Sequence, residues 1–165
     1  MLQVHTVETA PEKSKEILER VKSNYGFVPN LMGVFAESPE ILQAYLSLST
    51  LFEQTTLTPL ERLIVLLGVS SVNNCGYCMA AHSSMGTAQN LPDAVIQAVR
   101  NNRPIADSKL EVLRQFVLAV TEKRGFIKEE ELNLVVRALD ARRFFNPNSA
   151  VFIALESRKK RQRLH

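Results

Sequence analysis

Nowhere in the 165 residues does an apolar run approach the roughly 20 that a membrane-spanning helix needs, so no membrane partner is expected. The opening stretch, MLQVHTVETAPEKSKE, lacks a basic segment followed by an apolar one. It does not read as a secretory leader, and the cytoplasm is the expected compartment. Cysteine is scarce: Cys75 and Cys78 are the two in the chain. Without export, so close a pair points to redox chemistry or metal binding before a structural disulfide. β-branched alternation between turn signals is missing as well. That argues against a sheet, and with it against the βαβ units of a thioredoxin fold. No Gly/Ser linker, low-complexity tract or clean repeat divides the chain.

What is present is helical periodicity. At 45% hydrophobic and 22% charged, the composition is that of a globular protein, and the length suffices for one core. PEKSKEILERVKSNYG places Pro11 near a helix start, Gly26 at its end, and Ile17, Leu18 and Val21 on one face. SPEILQAYLSLSTLFEQ offers Ser38 as N-cap and Pro39 at the first helical position. Ile41, Leu42, Tyr45, Leu48, Leu51 and Phe52 then recur at three- and four-residue steps. TPLERLIVLLGVSSV repeats the start signal with Thr58 and Pro59 and is apolar nearly all round, which predicts a buried centre. SKLEVLRQFVLAVTEK sets Leu110, Leu113, Phe116, Val117 and Val120 on a stripe that stops before Gly125, and KEEELNLVVRAL reads the same way.

The expectation is an all-α, single-domain helical bundle over residues 1–157, followed by a basic tail over residues 158–165. That tail gathers Arg158, Lys159, Lys160, Arg161 and Arg163 in a chain of net charge +3. Nothing else forms a basic face with interleaved aromatics. The tail therefore reads as a solvated terminus, and no nucleic-acid partner is expected.

Reactive residues converge in VNNCGYCMAAHSS, residues 72–84. Asn73 and Asn74 are expected to end one helix and cap the next. With a helix starting near Cys75, steps of three and four residues put Cys75, Cys78 and His82 on one face. A thiol at a helix N-terminus meets free N–H groups and the positive end of the dipole, which favour the thiolate. The second thiol lies within disulfide reach and a histidine one turn on can carry a proton, which together suffice for a dithiol–disulfide cycle. Two other readings compete. A Cys2His metal module has three soft ligands, but a structural zinc takes four, and the remaining histidines, His5 and His165, stand at the two ends. A non-catalytic helical interaction protein would merely pack its cysteines. Spacing alone leaves all three open.

LTPLERLIVLLGVSSVNNCGYCMAAH resembles the signature region of the carboxymuconolactone decarboxylase superfamily, in its alkylhydroperoxidase D-like, peroxidase-related branch. YGFVPNLMGVFAESPEILQAY is similar to the segment that precedes that signature, and ADSKLEVLRQFVLAVTEKRG to the one that follows; the likeness runs from Ala10 to Leu139. The resemblance implies an all-helical fold that oligomerises, with an active-site dithiol at a helix N-terminus. It implies an alkylhydroperoxidase-like peroxidase, an antioxidant oxidoreductase that reduces peroxides or passes electrons to a peroxiredoxin. The partners implied are a peroxide, a dithiol reductant or peroxiredoxin-like protein, and further copies of the chain. No cofactor and no bound metal are expected. Cys75 and Cys78 match the redox pair and His82 the histidine of the proton relay. The decarboxylase branch lacks this cysteine pair, which argues against lactone chemistry. Cys78, one turn from His82, suits proton exchange, and Cys75 suits contact with a partner thiol. Phe27, Pro29 and Tyr77 are candidates for lining an apolar entrance, with loop or core packing as the plainer account of each.

Two departures from the resemblance stand out. The family's relay glutamate sits twelve residues before the first cysteine, and that position here is Leu63. Glu61 lies two residues earlier, a helical rotation of about 200° away. It is a candidate relay, but Thr58-Pro59-Leu60-Glu61 also reads as a capping box. The end of the chain, ARRFFNPNSAVFIALESRKKRQRLH, replaces the family's further apolar helix. Its Phe144, Phe145, Val151, Phe152, Ile153 and Leu155 are candidates for a helix or an oligomer contact.

Overall fold

A computed structural model describes residues 3–138. The basic tail and the apolar residues from Phe144 to Leu155 lie outside the described residues. Within them the chain is all-helical, with eight helices and no strand. It divides between Gln54 and Thr55 into two compact units.

The first unit holds α1 (Glu12–Tyr25), α2 (Asn30–Phe35) and α3 (Pro39–Glu53). The predicted punctuation is present. α1 follows Pro11 and ends on Gly26 at φ 80°, the left-handed conformation that glycine adopts without a Cβ clash. Ser38 caps α3 by accepting the Ile41 N–H, and Pro39 opens the helix. Leu18, Met32, Ala36 and Leu42 close the core. Buried Ser14 is satisfied by donating to the Ala36 carbonyl at 2.7 Å. His5 is held between the Thr9 carbonyl (3.0 Å) and the Glu37 carboxylate (2.7 Å), a structural role for a histidine near the chain end. The single stripe expected on α3 is in fact two. Leu42 is buried and Tyr45 and Phe52 half-buried, while Ile41, Leu48 and Leu51 are 55%, 67% and 62% exposed. Three- and four-residue steps fit either of two adjoining helix faces, so spacing alone does not separate them.

The second unit holds α4 (Pro59–Val72), α5 (Gly76–Ala88), α6 (Asp93–Arg100), α7 (Ser108–Glu122) and α8 (Glu129–Ala138). As its sequence predicts, α4 is central and packs on α5, α6 and α7. Ile64, Leu67, Ile96 and Leu113 are fully buried around it, each contributing about 1.5–3 kcal/mol. Two glycines set how closely the helices approach. A Cβ at Gly68 would stand 2.8 Å from Val117 Cγ1, and one at Gly86 would stand 2.6 Å from Leu63 Cδ2. The carboxyl ends of α4 to α7 share one device. Asn74, Asn90, Asn102 and Arg124 take positive φ of 50–55°, and the N–H groups there turn back onto the last helical carbonyls.

A polar cluster ties α6 to α7. Arg114, 3% exposed, donates through Nε and Nη2 to the Glu111 carboxylate at 2.8 Å each, and through Nη1 to Asn102 Oδ1 at 3.0 Å. Glu111 also accepts the Ile105 N–H at 2.8 Å, which anchors the connector between the helices.

Candidate active site

The site is built by the way α4 stops. The Asn73 N–H donates to the Val69 carbonyl, Asn74 turns left-handed at φ 51°, and the Cys75 N–H reaches back to the Ser70 carbonyl at 3.0 Å. The chain therefore leaves α4 with its backbone bonds satisfied and delivers Cys75 to the start of α5. Sequence reasoning gave the cap of α5 to an asparagine, but Cys75 itself takes it. Its Sγ accepts the Cys78 N–H at 3.2 Å, the bond a serine or aspartate usually makes there. Cys75 and Cys78 are joined as a disulfide with their Cα atoms 5.3 Å apart. Both cysteines are half-buried.

His82 follows Cys78 by four residues within α5, so the two share a face. Its Nδ1 is buried and has no hydrogen-bond partner among the described residues. Burial holds the imidazole pKa below its ordinary value, so the ring is neutral near pH 7. One turn farther along α5, Gly86 lies against Leu63, which is 5% exposed and sets an apolar wall there. Glu61 is buried at the start of α4. Its Oε2 accepts the Thr58 N–H at 2.6 Å while its own N–H donates to Thr58 Oγ1 at 3.2 Å, the capping box its sequence suggested.

The expected entrance residues fall in both units. Tyr77 stands between the cysteines and is 46% exposed, while Phe27, 61% exposed, and half-buried Pro29 belong to the first unit. An open recess of about 500 Å³ between α5 and α6 is lined by none of the three. Ser83, Thr87, Gln97 and Arg100 form its polar wall, with Arg100 Nη1 donating to Ser83 Oγ at 2.8 Å. Ser83 and Thr87 lie about 140° and 180° around α5 from Cys78, so this recess is turned away from the dithiol. Among the described residues no group of three His, Cys, Asp or Glu side chains is arranged to hold a metal ion. No described helix is long and apolar enough to cross a membrane.

The arrangement offers two sulfurs close enough to be joined as a disulfide, a helix start that favours negative charge on a free thiol there, and a neutral imidazole one turn away. Comparison with curated proteins returns no match. The model of the carboxymuconolactone decarboxylase family matches residues 39–121, half of the chain, from the start of α3 into α7 and across the whole dithiol segment. The chain belongs to the carboxymuconolactone decarboxylase family.

Proposed function

We propose that the protein is a thiol-dependent peroxidase or disulfide oxidoreductase of the alkylhydroperoxidase D-like branch. Cys75 and Cys78 are its redox pair and His82 its proton carrier. The observation that carries this reading is the disulfide capping α5, with an unpartnered buried imidazole nitrogen one turn along the same helix. In the reduced state one thiolate attacks the terminal oxygen of a hydroperoxide. An S–O bond forms, the O–O bond breaks, and the departing alkoxide takes a proton to become the alcohol. The second thiol then attacks the sulfenic sulfur, forming S–S and releasing water. An external dithiol resets the pair by exchange and leaves as its own disulfide. His82, neutral near pH 7, accepts the thiol proton and returns it to the departing oxygen. With leucine at position 63 it exchanges protons with water, and Glu61, engaged in capping α4, is given no step. Cytoplasmic location, an antioxidant role, self-assembly and a peroxiredoxin-like partner belong to the same proposal.

The test supplies the reduced full-length chain with an alkyl hydroperoxide and excess strong dithiol. Consumption of hydroperoxide, with two thiols lost per chain when the dithiol is withheld, supports the reading. Cysteines that stay reduced, with no hydroperoxide consumed, reject it.

A further inference from the structure

The recess between α5 and α6 lies within the second unit, turned away from the dithiol, and the redox reading gives it no part. Its volume of about 500 Å³ is that of a small-molecule site. Ser83 on α5 is bonded to Arg100 on α6, and a Cβ at Gly86 would stand 3.1 Å from Ile96 Cδ1. Rising numbers on one helix thus meet falling numbers on the other, so the two walls run antiparallel. Ser83 and Arg100 stand at one end of the recess. Thr87 and Gln97 stand about one helical turn, roughly 5 Å, towards the other.

Hydrogen-bond accounting shows what each end still offers. A guanidinium carries five N–H donors. Arg100 gives one to Ser83 Oγ and has no carboxylate partner among the described residues, and no acidic side chain lines the recess. On the facing wall the hydroxyl protons are spent on the helix itself. Ser83 donates to the Met79 carbonyl at 2.7 Å, and Thr87 to the Ser83 carbonyl at 3.1 Å. Gln97 Nε2 donates at 3.2 Å to Asp93, an acid one turn back on α6 and outside the lining. Thr87 Oγ1 and Gln97 Oε1 are left as acceptors, and Ala88 and Ile96 add apolar surface. One end therefore wants an oxyanion and the other a donor. A single guanidinium balances a single negative charge, which favours a carboxylate over a phosphate dianion. We propose that this recess binds a small organic acid. Its carboxylate pairs with Arg100, and its hydroxyl or ammonium group, roughly 5 Å away, donates to Thr87 Oγ1 and Gln97 Oε1. The proposal is independent of the redox reading.

The experiment titrates γ-hydroxybutyrate into the isotope-labelled full-length chain and follows the amide resonances. A saturable shift centred on Ser83, Thr87, Gln97 and Arg100 is expected. Arg100→Gln should weaken binding about tenfold, the loss of a charged hydrogen bond. Thr87→Val should weaken γ-hydroxybutyrate several-fold and leave butyrate, which has no donor and binds more weakly, unchanged. Arg100 and Thr87 are both exposed, so both variants should keep the wild-type spectrum elsewhere. Shifts that never saturate, or that Arg100→Gln leaves as they were, would overturn the proposal. So would butyrate binding as tightly as γ-hydroxybutyrate. Hydroperoxide consumption is scored separately and decides only the redox reading.

Discussion

Arg114 and His82 are both polar side chains taken into the second unit, and they are treated in opposite ways. Arg114 donates from all three guanidinium nitrogens, and its partner Glu111 also accepts the Ile105 N–H. The Arg114 hydrogen bonds hold the Glu111 carboxyl down at a pKa of about 2. His82 keeps Nδ1 buried with no partner among the described residues, four residues from a cysteine. A buried polar group with every bond made fixes structure, and leaving it unpaired is costly. Under the proposed function, one left open a helical turn from a cysteine would receive and return a proton.

The contrast breaks most visibly at the sulfurs. Cys75→Ser and Cys78→Ser should each reduce hydroperoxide consumption to background. Urea unfolding of the reduced proteins should change by no more than about 0.5 kcal/mol, because neither residue is fully buried. Arg114→Leu should do the reverse. By stranding the Glu111 carboxylate it should cost about 3 kcal/mol in urea unfolding while consumption per folded chain is kept. His82→Gln should lower consumption about 100-fold with little effect on stability. If His82→Gln instead unfolds the protein at normal activity, the two residues have exchanged roles.

Unfolding followed against pH sharpens the same contrast. Glu111 is depressed in the folded state, so its contribution is present above the ordinary carboxyl range and is lost as pH falls through that range towards about 2. His82 is also depressed, so the folded state favours its neutral form and loses stability as pH drops through the ordinary histidine range. Glu111→Gln should flatten the acid limb and His82→Gln the limb just below neutrality. The smallest effect belongs to the cap of α4. Thr58→Ala should cost about 1 kcal/mol, and Glu61→Gln should leave hydroperoxide consumption unchanged.

Much of this was legible in the residues, because helix punctuation is local chemistry. Ser38-Pro39 and Thr58-Pro59 begin helices where their side chains and rings dictate, and Glu61 closes the capping box. The one-face placement of Cys75, Cys78 and His82 followed from helical spacing. Short elements escaped notice. α2 is six residues long, too few to show a period, whereas α6 had a usable signal in Pro92-Asp93 followed by Val95, Ile96 and Val99. The Arg114 cluster was half visible as a Glu111–Arg114 pair at i,i+3. Its third member, Asn102, comes from a helix end that only folding brings near. That a sulfur would cap α5 was hidden because asparagines, the commoner caps, stand just before it. The open nitrogen of His82 was equally hidden, since an absent partner is a property of three-dimensional packing.

The central claim is that the start of α5 activates a dithiol. Its most direct test is alkylation of the reduced full-length chain across pH, with the modified cysteine identified by mass. A thiol that reacts well below the ordinary cysteine pKa of about 8.5, and slows when the fold is removed by denaturant, is the predicted result. Two cysteines that both titrate at or above that value, alike in folded and unfolded chain, would contradict it.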